Sequence, residues 1–339
     1  MIVMVSLDRI SWTRRGEHPI LVGERGETRS ARQTMAEGGA LFDVDYPAAT
    51  VQGSGIKPMD ERGDGTRPLY KWVVRRDTGD ILGFHSGKYP ESPNYGYLAE
   101  TADFLFPESA DSVTVFGRGE RVALTQTISD PIDLGRGDQI QPQILWLTSM
   151  NGQWSTSVHS MQSRFFCTNQ LVGNIPLMKV RHTLNHDAHL EVRRQILLDH
   201  MESTDAMTRM AKTLSDQEFA NDEFKNLIKN LFPDPKPKMI TTTDHLGQIV
   251  EIPQEISEHR WDLVLDKRRI VTERWDVELE KFGSDGGGTR WLAYNAVQGA
   301  EQHDLGEEMS GKKRRERSFL RAIESKTPLA ERALHLLAA

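Results

Sequence analysis

The dipeptide Asn151-Gly152 lies inside "QILWLTSMNGQWSTSVHSM" (143–161), between two runs rich in Leu, Trp, Thr, Ser and Val. Asn-Gly is the strongest short hairpin signal, because both positions tolerate the positive φ of a turn whose twist matches that of the strands it joins. "LYKWVVRRDTGDILGFHSGKY" repeats the arrangement around Asp77-Thr-Gly-Asp80, and "RVALTQTI" (121–128) adds another strand. These runs predict an antiparallel sheet of at least four strands. In the 70–75 run the period of two puts Tyr70, Trp72 and Val74 on one face and Lys71, Val73 and Arg75 on the other.

Past Cys167 the period changes. "HLEVRRQILLDHMESTDAMTRMAKTL" spaces Leu190, Ile196 or Leu197, Met201, Met207 and Met210 as a long helix would. Ser215-Asp-Gln-Glu218 reads as a capping box opening a second helix through Leu231, stopped by "FPDPKPK". A third helix is predicted from Ile256 to Phe282, with Trp261, Val264, Val271, Trp275, Leu279 and Phe282 near one stripe. Two more are expected over Trp291–Gln302 and Arg314–Leu337, and "TRSARQTMAEGGALFDVDYP" offers a short helix and then an extended segment near the start. Sheet first and helices later predicts an α+β fold, an antiparallel core with hairpins followed by a long-helix C-terminal half. Three regions follow: an N-terminal region 1–67, an α+β core 68–214 and a helical region 215–339.

The chain has one Cys, which excludes an intrachain disulfide and a Cys-rich zinc site. No apolar run approaches the roughly 18 residues of a membrane span, and the apolar start "MIVMV" is too short for a signal-peptide core. A cytoplasmic protein without membrane partners is expected. The net charge of -7 argues against coating nucleic acid with the whole surface, yet "SGKKRRERSFLR" (310–321) sets six Lys or Arg against one Glu.

Few residues carry a chemical signature. Cys167 has no base that spacing places beside it and reads as buried filler. His182, His186, Asp187 and His189 in "RHTLNHDAHLEV" form one dense group of metal-ligand types, but Thr183 stands where a zinc protease helix has its Glu. "GSDGGGTRW" lacks the Lys of a nucleotide loop and reads as a flexible connector with Thr289 as a helix cap. No paired-carboxylate, Ser-His-Asp or dinucleotide pattern is present, so neither catalysis nor a cofactor is predicted.

What recurs is a cation beside an aromatic ring. Lys71 and Trp72 precede Arg75 and Arg76, Arg164 precedes Phe165 and Phe166, and Lys179, Arg181, Arg193 and Arg194 follow. Grooves for single-stranded nucleic acid combine these ingredients, cations for phosphates and flat rings for bases.

The pieces "VVRRDTGDILGFHSGKYP", "GRGERVAL", "LTSMNGQWSTSVHSMQSRFFCTNQLV", "VRHTLN" and "GGGTRWLAYNAVQGAEQHD" resemble, in this order, the phage- and plasmid-borne family known as domain of unknown function 932. Where that family's last block ends Tyr-Val-Asp-His, this chain has Gly299-Ala-Glu-Gln-His303-Asp304. The resemblance implies a mobile-element protein of replication or recombination. The order of elements is similar to that of phage single-strand annealing recombinases of the Red beta and RecT type.

The resulting expectation is a non-enzymatic protein that binds and anneals single-stranded DNA as a homo-oligomer, a ring or filament. A phage exonuclease or a host single-strand-binding protein is the expected companion. Lys71, Arg75, Arg76, Arg164, Lys179, Arg181, Arg193 and Arg194 would neutralise phosphates; Trp154, Phe165 or Phe166 would stack on bases, and Asn169 would bond the backbone. Lys312, Lys313, Arg314 and Arg315 would hold a second strand or a neighbouring subunit. The rivals are a metal-dependent nuclease built on the His182 group and an interaction protein modulating host defence or replication.

Overall fold

The computed structural model describes residues 20–22, 29–52, 55–58, 70–89, 95–164, 170–172, 177–182, 202–243, 248–284, 286–305, 320–321 and 327–338. The chain forms two compact units, one from Met1–Ile132, Ile140–Ser163 and Leu171–Met207, the other from Asp133–Gln139, Arg164–Gln170 and Thr208–Ala339. The fold is α+β with antiparallel strand pairing.

In the first unit, β1 (Ile20–Val22) is followed by α1 (Ala31–Glu37), β2 (Val44–Asp45), β3 (Ala48–Gln52), β4 (Gly55–Pro58), β5 (Tyr70–Arg75) and β6 (Ile81–Ser86). The β5–β6 hairpin forms as its sequence predicts: Trp72 pairs with Phe84, Gly79 takes φ +72°, and Lys71 and Val73 point inward. A small sheet in the order β2-β5-β3-β4 carries β6 on its β5 strand.

Then come α2 (Tyr95–Leu105), β7 (Ala110–Phe116), β8 (Arg121–Thr127), the short β9 (Ile132–Asp133), β10 (Gln139–Ser149), β11 (Thr156–Arg164), β12 (Gln170–Val172) and β13 (Met178–Val180). The large sheet runs β1-β7-β8-β10-β11-β12, with β13 also on β11. Asn151-Gly152 turns the β10–β11 hairpin, with Gly152 at φ +75°.

Trp146 of β10 is fully buried and donates to Gln126 Oε1 at 2.7 Å, while Gln126 Nε2 donates to the Ala102 and Phe106 carbonyls at the end of α2. A buried Gln thus satisfies carbonyls that a helix end leaves open. The start of α1 is closed in the same spirit, by Ser30 Oγ accepting from Gln33 N and Asp103 accepting from Ala31 N and Arg32 N.

The chain continues with α3 (Glu202–Ser215), β14 (Glu218–Ala220), α4 (Asn221–Leu231), β15 (Met239–Thr243), β16 (Ile249–Pro253), α5 (Glu258–Phe282), β17 (Gly287–Thr289), α6 (Arg290–Gly299), a π turn (Ala300–Asp304) and α7 (Pro328–Ala338). The predicted capping box needs correction. Ser215 is the last residue of α3 and its hydroxyl donates back to Ala211 O, whereas Glu218 opens β14 and the next helix begins at Asn221, with Glu223 accepting from Ala220 N at 2.7 Å. Pairing of β14 with β17 holds 218–220 extended and moves the helix cap five residues on, from Ser215 to Ala220.

The Gly-rich stretch is corrected too, from flexible connector to packed strand. Gly287 sits at φ +139°, and a Cβ on Gly288 would meet the Trp275 ring at 2.8 Å, so the glycines let β17 lie against its neighbours. Thr289 caps α6 as predicted, accepting from Leu292 N at 3.3 Å. In α5 the C-terminal half buries Val271, Trp275, Glu278 and Phe282, and Trp275 stacks on Phe224 at 4.3 Å. Leu263 and Leu265 in its N-terminal half are exposed. The Pro-rich stop is pinned by Arg268, which donates to Phe232 O and Asp234. Of the long helix expected over 189–214, the part from Glu202 forms α3 and residues 189–201 lie outside the described residues; of the helix expected over Arg314–Leu337, α7 covers the end, and residues 314–319 and 322–326 lie outside them.

Candidate functional site

Within the first unit, three separate stretches meet where the β10–β11 hairpin turns. His85 of β6 donates from Nε2 to the Met150 carbonyl at 2.6 Å, and its ring stacks on Tyr89 with centroids 3.7 Å apart and 7° between planes. Tyr89 Oη lies 3.1 Å from His182 Nδ1, His182 Nε2 lies 3.1 Å from Thr156 Oγ1, and Thr156 Oγ1 lies 3.0 Å from Thr148 Oγ1. One ring stack and three hydrogen bonds therefore link the small sheet to the large one. Glycine makes the approach feasible: a Cβ on Gly83 would collide with the Met150 carbonyl and His85 Nε2.

Burial, with Lys71 adding to it and the Met150 bond opposing, holds His85 below its usual pKa, so the ring is neutral near pH 7. Burial, then the neighbouring Tyr46, raises the Tyr89 phenol above its ordinary range and keeps it a neutral hydroxyl. Neutral, mutually bonded groups of this kind hold geometry. Both His182 ring nitrogens are thus engaged by hydroxyls, groups that can donate to one nitrogen and accept from the other.

The turn itself is tied at both ends. Ser149 Oγ donates to Trp154 O at 2.8 Å and accepts from Trp154 N at 2.9 Å, Gln153 N donates to Asn151 Oδ1 at 3.0 Å, and Met150 N donates to Glu120 O at 2.7 Å. Trp154 is thereby fixed edge-on to Phe116, with the Arg121 guanidinium 4.8 Å from the Trp154 ring centroid and 5.2 Å from that of Phe116. Arg118, in the adjacent β7–β8 turn, is exposed and pairs with Asp80 at 3.3 Å, and Lys179 of β13 and Arg181 just after it are exposed too. Val180 pairs with Thr156 two residues after Trp154, so Arg181 leaves the sheet beside the same turn.

The other predicted cations are placed differently. Lys71 is buried with Nζ 5.4 Å from the Tyr46 ring centroid. Arg75 lies over Phe42 and donates to both oxygens of Asp77 and to Arg118 O. Arg76 is paired with Asp45 and Asp43. Arg164 belongs to the second unit and does not face solvent. Its guanidinium grips Asp138 through Nε and Nη2 and Glu278 through Nη1 at 2.6 Å, and lies 4.7 Å from the Phe282 ring centroid. Trp291 Nε1 donates to the same Asp138 at 3.0 Å. Both acceptors occupy the positions a phosphate would need, so the phosphate role predicted for Arg164 is replaced by that of a buried ion-pair centre.

Residues 94–324 match the family model described as Domain of unknown function (DUF932). The chain belongs to this family. No curated protein and no solved structure matches it. The DUF932 span takes in Thr148, Trp154, Thr156, Arg164 and His182, whereas His85 and Tyr89 precede it.

Sequence reasoning placed His182 in the alternative metal group and passed over His85 and Tyr89. The signal for His85 was available, since the Asp77–Asp80 turn sets a register in which it pairs with Lys71. Both His182 ring nitrogens are engaged by hydroxyls, so a cation bound there would break one of those contacts. Phe165, Phe166, Cys167, Asn169, His186, Asp187, His189, Arg193, Arg194, Lys312, Lys313, Arg314 and Arg315 lie outside the described residues. Among the described residues no group of three metal-ligating side chains forms, and no helix is long and apolar enough to cross a membrane.

Proposed function

We propose that this DUF932 protein binds single-stranded DNA and promotes its annealing, without covalent chemistry, as a homo-oligomer in the recombination of a phage or other mobile element in its host's cytoplasm. The observation that carries the reading is the Trp154–Arg121 stack beside exposed Arg118, Lys179 and Arg181 at the hairpin end of the large sheet. A ring with a cation across it, held on a rigid turn, suits base stacking, and the surrounding cations suit phosphates. The sheet-before-helix order agrees with the looser likeness to Red beta and RecT annealing proteins, which is an analogy of fold and not of site.

The test is fluorescence anisotropy of a labelled single strand at two salt concentrations, with and without EDTA. Salt-sensitive, EDTA-indifferent binding is expected. Arg181→Ala should lower the log-log salt slope by about 0.7 if it meets a phosphate on a single strand, and Trp154→Ala should cost about 1–3 kcal/mol of binding where a base stacks on it. An unchanged slope removes Arg181 from the interface. Chelator-sensitive cleavage of the strand would favour the nuclease reading, and no binding at low salt would favour a protein partner.

A further inference from the structure

The ribbon of β15 and β16 in the second unit pairs with no other strand among the described residues. A lone two-stranded hairpin is marginal in water. Its apolar side chains are not folded away either: Met239 is 56% exposed, Ile240 40%, Ile249 78% and Ile252 43%.

Register decides which backbone groups of the ribbon are turned outward. Gln254 N donates to Lys238 O at 2.7 Å, and the ladder continues as Met239↔Pro253, Ile240↔Ile252, Thr241↔Glu251, Thr242↔Val250 and Thr243↔Ile249. Hydrogen-bonded and non-hydrogen-bonded pairs alternate along an antiparallel ladder. Counting from the Lys238–Gln254 bond, Ile240 and Thr242 direct their N–H and C=O groups at β16. Met239, Thr241 and Thr243 direct theirs out of the other edge of β15.

The two outer edges differ in how they are guarded. On β16 the outward residues are Ile249, Glu251 and Pro253. Proline has no N–H to offer and a charged side chain opposes burial, the two devices that keep an edge from pairing. On β15 the run Met-Ile-Thr-Thr-Thr carries neither charge nor proline.

We infer that the outer edge of β15 pairs with the same edge of a second copy of this chain, antiparallel about a two-fold axis at Thr241, giving a four-stranded sheet shared by two chains. About that axis Thr241 meets its own mate as a hydrogen-bonded pair, so its N–H and C=O are both used reciprocally. Ile240 then falls opposite Thr242 of the partner subunit, and because the axis is perpendicular to the sheet both lie on the face that also carries Ile252. An isologous contact is self-complementary by symmetry, and an uncharged edge centred on a residue that pairs with itself is suited to it. The guarded β16 edges end the sheet on both sides, so the assembly closes at two ribbons. The pairing needs no nucleic acid, so it fails or holds separately from strand binding.

Two measurements without nucleic acid test it. In a Cys167→Ser background, Thr241→Cys under mild oxidant is expected to give an interchain disulfide, since a hydrogen-bonded antiparallel pair holds its Cα atoms about 5.5 Å apart, within the disulfide range. Glu251→Cys, one strand further out in each chain, leaves its mates three strand spacings or about 14 Å apart and is expected to give none. A crosslink from both variants or from neither overturns the pairing. On the unaltered chain, analytical ultracentrifugation at micromolar concentration should read a dimer or a multiple of it. Thr241→Pro, which deletes an outward N–H and leaves the β15–β16 ladder whole, should halve that mass. A monomeric unaltered chain, or a mass that Thr241→Pro does not move, also overturns it.

Discussion

Arg164→Met tests most directly the reassignment of this side chain from surface to interior. The Arg164 side chain is 2% exposed, and its partners Asp138 and Glu278 are 4% and 9% exposed. Methionine keeps most of the stem's volume, so the cavity contribution is small and the main effect is electrostatic. Two carboxylates are left in the interior, with Trp291 Nε1 still donating to Asp138. Breaking a buried pair from one side costs about 3–5 kcal/mol. In a unit of this size each kcal/mol moves Tm by about 2–4 °C, so a fall of about 6–20 °C is expected.

The pH dependence supplies a second signature of the same variant. Burial already raises Glu278 above its usual value with Arg164 opposing, and loss of the guanidinium removes that opposition. A raised carboxyl destabilises the fold at pH above its folded value and ceases to do so as pH falls through it. The deficit of Arg164→Met should therefore shrink as pH falls towards the carboxylate range. Urea unfolding followed by tryptophan fluorescence at several pH values measures both effects, with Arg164→Lys as the charge-preserving control. A loss under about 1 kcal/mol at pH 7, the size typical of an exposed pair, would put Arg164 at the surface and return it to the candidate phosphate ligands.

Two smaller perturbations address the hairpin site. His85 has a folded pKa below its unfolded one, so the unfolded chain takes up its proton first: stability is full above about pH 6.5 and falls as pH drops below it, by at most about 1.4 kcal/mol per pH unit. His85→Gln should remove that slope in a urea titration, and a wild-type slope retained by the variant would clear His85 of it. Gly83→Ala drives a methyl against the Met150 carbonyl and should destabilise the first unit by about 1–3 kcal/mol in the same assay. A neutral result would mean that the two hairpins are not in contact at that point.

Where local chemistry alone decides the backbone, the sequence was legible. Asn151-Gly152 and Gly79 turn their hairpins at positive φ, and Thr289 caps its helix. Misreadings arose where a distant segment overrides a local signal. The Ser215–Glu218 spacing is a sound cap pattern, but Glu218–Ala220 pairs with Gly287–Thr289, some seventy residues away in sequence, and that ladder keeps the backbone extended. Arg164 beside two phenylalanines looks like a nucleic-acid contact until Asp138 and Glu278 arrive from other parts of the chain. The β15–β16 ribbon was missed because Pro235 and Pro237 before β15 and Pro253 at the end of β16 suggest a loop, while pairing of these two short runs is a property of the folded chain.

The polar chain from His85 to Thr148 gains its meaning from what it surrounds. His85 bonds the Met150 carbonyl and stacks on Tyr89, Tyr89 bonds His182, His182 bonds Thr156, and burial keeps His85 and Tyr89 uncharged. What the network does fix is the Met150 carbonyl and Thr156 on either side of the turn, between which Trp154 is clamped by Ser149. A binding ring gains affinity when its position costs no ordering on contact. The stacking proposed for Trp154 would draw on this preorganisation at the Asn151-Gly152 turn, because the ring is already held before any base arrives.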